Sequence, residues 1–394
     1  MLLFFVALCT LSLYIYQSKT VVLHKTILVV SFVLSVLAFF QDVNQDSDLM
    51  VAFEHLDNIR RFGWSYFKSA EIATSYYFTG RDGLKVYFYL LSLMPCNNFF
   101  SSVSVFLFYY LPMLGFVKCA CHYNVSIFCV KWCLILLIWM VDFFDGSNGV
   151  RNMLSFGIFA YAVMGDLLIE EKKVSIKSMI YYVVAALIHS SAWILVVLRL
   201  VLYVKKDKYV FAIGVVLLFW SLGVKHLNIS ELFGGYNAIS GSMEHHVSSY
   251  AGDNTGEGNY SSDIFNNSAS YMLMRTFRLV HVLAVLFLML RLWKKQRHID
   301  CLMKFVYLLS CFCLGAYLSS FATNIFTRYS FEMIFLTPVF LACYNSQSVR
   351  HFFLKFYNRR ISLVSASFLL IILLFNYYQF RYHYHYMHFG FNIY

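Results

Sequence analysis

Long apolar runs separated by short polar turns occupy most of the chain. A helix crosses a bilayer with about 20 apolar residues, the workable range being about 17 to 25. By that measure the spans fall near residues 1–16, 27–40, 99–117, 125–141, 152–168, 176–189, 192–204, 209–224, 271–290, 302–321, 329–344 and 361–375. The pattern predicts an all-α polytopic integral membrane protein with about twelve transmembrane helices and both termini on one side. The first run has neither a basic start nor a small-residue cleavage site, and reads as a retained span. Two polar stretches interrupt the series, at residues 41–98 and 225–270. The first mixes acids and bases with Trp64, Tyr66, Phe67, Tyr76 and Tyr77, which suits helices lying at an interface. Within it, residues 84–95 are amphipathic and too short to cross, predicting a surface-lying or re-entrant helix. The second is rich in Gly, Ser and Asn and reads as a long loop. Residues 1–394 thus form a single transmembrane domain with two large loops.

Composition narrows the class. Of 394 residues, 60% are hydrophobic and 13% charged, and mean hydropathy is +0.65. A soluble domain carries about twice that share of charge. The net charge of +11 resides in short turns between spans, as the positive-inside rule asks of cytoplasmic turns. No basic face with stacking aromatics emerges, which excludes nucleic-acid binding. Sorting Lys and Arg this way puts Glu170-Glu171-Lys172-Lys173 and Arg291 to Arg297 inside, and both large loops outside. Most of the ten cysteines fall in apolar runs, so no disulfide framework is expected. Cys119, Cys121 and His122 lack a second ligand pair for a metal.

Against that background a few ionisable residues lie at the outer ends of spans. Arg151 begins one span, Arg275 and Arg278 another, and Arg328 a third. Ionisable groups at such depth are costly and mark function. A guanidinium fork matches a phosphate or diphosphate, and Arg275 and Arg278 share one helix face. The alternatives are lipid phosphates, or pairing with Asp142 or Asp145. His189 ends the span that follows Arg151's, so the hairpin 142–191 returns it to the same membrane face. There it acts as a general base, hydrogen-bonds an acceptor, or simply packs at a helix end. Asp46 and Asp48 follow the second span, and their carboxylates either take a proton from a hydroxyl or cap a helix. Arg199 is expected to snorkel or bond a carbonyl, and Glu332 to pair with Arg328 one turn away. Glu244, His245 and His246 form a weak metal-type cluster. No phosphate-binding glycine loop or nucleophile elbow occurs, and neither a metal nor a cofactor is expected.

The order of these motifs resembles the EpsG-like group of polysaccharide polymerases, which includes the bacterial O-antigen polymerases (Wzy). Asp46-Ser47-Asp48-Leu49 follows the second span, and Arg151-Asn152-Met153-Leu154-Ser155 begins a later one. His189-Ser190 ends the next, and Arg328-Tyr329 begins another, the whole covering residues 40–345 or so. Ser155 stands where the group usually has Ala, and the Arg-Tyr or Tyr that often follows the acidic segment is missing. The resemblance implies a GT-C-like bundle acting as a membrane glycosyltransferase of lipopolysaccharide and polysaccharide biosynthesis. It implies the bacterial inner membrane, with the active site facing the periplasm. The implied substrates are oligosaccharide repeat units on undecaprenyl diphosphate. The growing glycan moves from its diphosphate to the non-reducing end of a new lipid-linked unit, and a chain-length regulator is an implied partner. In that chemistry Arg151, Arg275, Arg278 and Arg328 hold the diphosphate, and His189, Asp46 or Asp48 activates the acceptor. The alternatives are a lipid-linked oligosaccharide flippase or an O-antigen ligase. A flippase calls for charges reaching both faces and two related halves, and neither occurs.

Overall fold

The computed structural model describes residues 2–18, 23–43, 48–69, 72, 77–78, 81–141, 143–167, 174–204, 206–224, 269–295, 300–318 and 323–344. Outside these lie Asp46, Asp142, the metal-type cluster at 244–246, the turn 170–173 and the span 361–375, together with nearly all of the second large loop. The described residues are helical: α1 (Leu2–Gln17), α2 (Leu23–Phe39), α3 (Asp48–Phe62), α4 (Asp82–Ser92), α5 (Asn98–His122), α6 (Ile127–Met140) and α7 (Phe143–Asn148) come first. They are followed by α8 (Val150–Leu167), α9 (Ile176–Ile188), α10 (Ala192–Val201), α11 (Asp207–Val224), α12 (Ala269–Lys295), α13 (Cys301–Tyr317) and α14 (Thr323–Tyr344). A 3-10 segment, Gly63–Lys68, continues α3. The joint falls at Gly63, whose φ of +60° is a conformation that side-chain-bearing residues rarely adopt. The chain forms two compact units, one made of residues up to Val196 together with those from Ile334 on, the other of Val197–Met333.

Specific contacts fix the helix directions in the first unit. Ser35 bonds Ser102 at 2.8 Å, and Asn98 reaches the Phe39 carbonyl at 2.7 Å, so α2 and α5 are antiparallel. Trp139 donates to Ser12, and Tyr16 meets Trp132, so α1 and α6 are antiparallel too. Gly157 faces Phe108 and Gly115 faces Met164, so α5 and α8 run parallel. A Cβ on Gly157 would lie 3.0 Å from the Phe108 Cα, so only glycine lets these two backbones come so close. Small residues at helix contacts are how membrane bundles pack, where lipid gives apolar side chains no reason to cluster. Ser155 Oγ donates to the Ala185 carbonyl at 2.8 Å, pinning α8 to α9. One end of this unit therefore collects the start of α5, the start of α8 and the end of α9.

In the second unit Asp207 pairs with Lys304 at 2.7 Å, and Trp220 stacks on Phe312, so α11 and α13 run parallel. Trp293 meets Tyr307 while Arg275 covers Tyr317, which makes α12 antiparallel to α13. Tyr317 against Phe326 and Phe312 against Tyr329 bring α14 back along α13.

The outer faces are apolar, with Leu13, Phe32, Phe128, Ile176, Val216 and Phe287 each exposed. Ser31, Ser101, Ser104 and Ser155 are buried between helices. That inside-out distribution suits lipid rather than water. The helical architecture is the one the apolar periodicity predicts. Among the described residues, however, one helix is by itself long and apolar enough to cross a membrane, Asn98–His122. Other apolar helices run 10–17 residues. Residues 84–95 do form a short helix, α4, which packs on α3, α5 and α9.

Candidate functional site

Arg151 sits in the first turn of α8, where free N–H groups and the helix dipole already concentrate positive charge. A guanidinium placed there needs compensating neighbours, and the first polar stretch supplies them. Its Cζ lies 3.8 Å from the centroid of the Tyr77 ring. Its Nη2 lies 3.9 Å from Asp48 Oδ2, at the start of α3. The Arg151 side chain is 15% exposed and that of Asp48 66%, so water screens their attraction. Such a pair contributes at most about 1 kcal/mol, whereas a desolvated cation–π contact reaches about 2. The aromatic face is the stronger tether. The other nitrogen, Nη1, is buried and has no hydrogen-bond partner among the described residues. The alternative of a pair with Asp142 or Asp145 falls on side chains outside the described set; the carboxylate found near Arg151 is Asp48.

Tyr77 is in turn held from below. Arg81, the residue before α4, is 1% exposed and donates Nη1 to the Tyr77 carbonyl at 2.9 Å. Burial pushes the Tyr77 phenol up to about 12, with Arg151 opposing, Asp48 reinforcing and Arg81 opposing. The hydroxyl therefore stays protonated at neutral pH. His55, on α3, places its ring 4.7 Å from Tyr77 and 4.9 Å from Phe78. Its Nδ1 is 2.7 Å from the Tyr66 hydroxyl. Burial, helped by the Arg151 charge, lowers the His55 pKa to about 4, so the imidazole is neutral at pH 7. α3 is fastened by Arg60, which donates to the Ser92 carbonyl at 3.0 Å, to Asp57 at 2.9 Å, and to Asn97.

His189 caps the end of α9 and is 3% exposed. Its Nδ1 accepts the Ser191 N–H at 3.1 Å, which shapes the turn into α10. The Ser155–Ala185 bond lies one turn from Arg151 on α8 and one turn from His189 on α9. The two residues accordingly share one end of the helix pair, as the hairpin pattern predicts. The start of α4 joins them, since Gly83 packs against Leu187.

The remaining arginines belong to the second unit and gather at one end of it. Arg278 is 1% exposed, lies 3.9 Å over the Phe331 ring and donates to the Thr327 carbonyl at 3.0 Å. Arg275 lies 4.7 Å over the Tyr317 ring. Arg328 follows Thr327 on α14 and is half-buried. Arg278 thus has a structural duty in tying α12 to α14. The expected Glu332–Arg328 pair does not form: both Glu332 carboxyl oxygens are buried without a hydrogen-bond partner among the described residues. One turn of separation on a helix permits such a pair, but Glu332 faces the core, at 0% exposure. Arg199 is buried beside Tyr203, its Cζ 5.4 Å from the ring centroid.

Sequence reasoning missed His55 and Arg81 as members of the Arg151 site. Tyr66 and Tyr77 stood out only as aromatics among charges, and nothing local to His55 marks it. No group of three or more metal-ligating side chains occurs among the described residues. Comparison with curated proteins gives no match, nor does comparison with solved structures. The model of the EpsG family matches residues 64–393, a stretch that contains Arg151, His189, Arg275, Arg278 and Arg328, and the chain belongs to that family.

Proposed function

We propose that this protein is a polysaccharide polymerase that moves a growing glycan from undecaprenyl diphosphate to the non-reducing end of a new lipid-linked repeat unit. EpsG membership carries the coarse part, a polymerase-like, glycosyltransferase-type role. The finer part rests on one observation, the buried and unpartnered Nη1 of Arg151 at a helix N-terminus. A guanidinium held by an aromatic face, with a donor to spare, suits an oxyanion that gains charge as a bond breaks. The departing diphosphate is such a group. Arg275, Arg278 and Arg328 are proposed to serve the lipid-linked diphosphates at one end of the second unit. Asp48 and His189 stay in the proposal as residues around the acceptor, and so does Asp46, which lies outside the described residues.

The proposed setting is the bacterial inner membrane with Arg151 facing the periplasm. The opposite end of the first unit carries Lys25, Lys118, His122 and Lys131, and the positive-inside rule assigns such an end to the cytoplasm. A chain-length regulator is the proposed protein partner, and no step in this reading calls for a metal or cofactor. The test is a sugar-ladder gel from a strain that produces the Arg151→Ala protein at normal level in its membrane. Single-repeat product is expected, and a wild-type ladder refutes the assignment. Lipid-linked units moved across a vesicle without elongation would instead identify a flippase, and transfer to lipid A a ligase.

A further inference from the structure

Resting on the reading of Arg151 as the diphosphate residue, we propose that His55 accepts the proton of the attacking hydroxyl, and does so more readily when an anion occupies Arg151. The side chains form one continuous chain of contacts: Asp48 to Arg151, Arg151 to the Tyr77 ring, that ring to His55, and His55 to Tyr66. Tyr66 engages Nδ1 and so orients the imidazole, leaving Nε2 as the nitrogen for substrate. The two other candidates are less suited. The His189 Nδ1 already accepts a backbone N–H, with the ring 3% exposed. Asp48 is mostly in water, with one carboxylate oxygen 3.9 Å from the Arg151 guanidinium.

His55 is a poor base while the site is empty, for two physical causes: burial and the neighbouring Arg151 charge. An anion at Arg151 removes the second, smaller cause while burial stays, so the imidazole pKa rises above about 4 and the ring becomes a better base. Other charged and titratable groups on the elements around α3 are Glu54 and Asp57 on α3 itself, Arg81, Asp82 and Lys85 at the start of α4, and Tyr66 and Tyr77. Asp82 and Lys85 pair with each other at 2.8 Å, and Asp57 pairs with Arg60 at 2.9 Å. The α7 side contributes Asp145, whose side chain lies outside the described residues. In the step itself the acceptor O–H bond breaks and its proton passes to Nε2. The oxygen forms the new bond to the anomeric carbon, whose bond to the diphosphate oxygen breaks with its electron pair. That pair stays on the diphosphate at Arg151, and the imidazolium later releases the proton to water.

The location of His55 fits this division of labour. The family match begins at residue 64, so Arg151 lies within the shared region and α3 before it. The diphosphate is common to every such donor, whereas the acceptor hydroxyl differs from sugar to sugar.

The experiment uses the full chain in nanodiscs with the lipid-linked repeat units that accumulate in a strain lacking it. Elongation is followed as kcat and KM from about pH 4 to pH 8. Wild-type kcat is expected to fall on the acid side at a pH above the empty-site value of about 4. His55→Gln is expected to lower kcat by about a hundredfold or more and remove that limb, with KM little changed. Tyr66→Phe, which keeps the ring and loses the hydroxyl, is expected to shift the limb. Normal elongation by Arg151→Ala refutes the diphosphate reading itself. An inactive Arg151→Ala beside a His55→Gln protein with wild-type kcat overturns the proton-acceptor proposal alone. Should His55→Gln fail to insert, an unmoved limb in Tyr66→Phe overturns it.

Discussion

Replacing Tyr77 tests whether an aromatic face or a carboxylate holds Arg151 in place. The two tethers differ in surroundings: Tyr77 as a residue is 9% exposed, and the Asp48 side chain is 66% exposed. Desolvation sets the cation–π contact at 3.8 Å near the upper part of its range, about 2 kcal/mol. Solvent holds the 3.9 Å ion pair below about 1 kcal/mol. If a misplaced guanidinium loses its transition-state contact in proportion, Tyr77→Leu lowers kcat/KM by about 30-fold, since 1.36 kcal/mol is tenfold. Asp48→Asn lowers it by at most about fivefold on the same scale. Tyr77→Phe keeps the ring, and the phenol it removes is uncharged at neutral pH, so its loss is small. The assay is elongation of purified lipid-linked repeat units by each variant in detergent, with membrane insertion checked first. A larger loss from Asp48→Asn than from Tyr77→Leu refutes the reasoning. So does a Phe variant as impaired as the Leu one.

Gly157→Ala places a Cβ 3.0 Å from the Phe108 backbone, and overpacking of this kind costs about 1–3 kcal/mol. Thermal unfolding in detergent should show a lower Tm, while Gly165→Ala, with nothing within 4 Å, should not. Arg278→Gln removes a charged donor from the Thr327 carbonyl and a cation from Phe331. A loss of about 1.5–3 kcal/mol is expected, read as the same fall in Tm, and a wild-type melt contradicts it. Asp48→Cys should react with a membrane-impermeant maleimide in spheroplasts. The native Cys121, exposed at the far end of α5, should react only after permeabilisation, and the reverse order inverts the proposed topology.

Much of the scaffold was legible in the sequence. Helices, turns and the alternation of direction follow from apolar run length, and the shared location of Arg151 and His189 follows from counting two spans. The structure adds a short-range device not singled out beforehand: Ser175 before α9 accepts the Ser178 N–H, as a helix-capping serine does. What escaped was lateral. Tyr77 meets Arg151 from 74 residues away and His55, 96 residues before Arg151, meets the Tyr77 ring, and no periodicity encodes which loop residue lands on which span. Asp48, much farther from Arg151 in sequence, stands beside it because α3 packs against α7 at the start of α8. Glu332 misled for the opposite reason. Its spacing from Arg328 allows a pair, and only the packing of α14 reveals that it turns inward.

The Arg60 fastening has a practical corollary for engineering. The Arg60 guanidinium, steadied by Asp57 of the same helix, reaches the Ser92 carbonyl and Asn97. Asn97 in turn donates to the Phe53 carbonyl and to Asp57, so Arg60 and Asn97 form a two-sided latch between α3 and the residue before α5. Any graft exchanging this segment between related proteins has to carry the latch and its keeper together. Moving residues 48–62 without Asn97 would deliver the right side chains without the partner of three of these bonds.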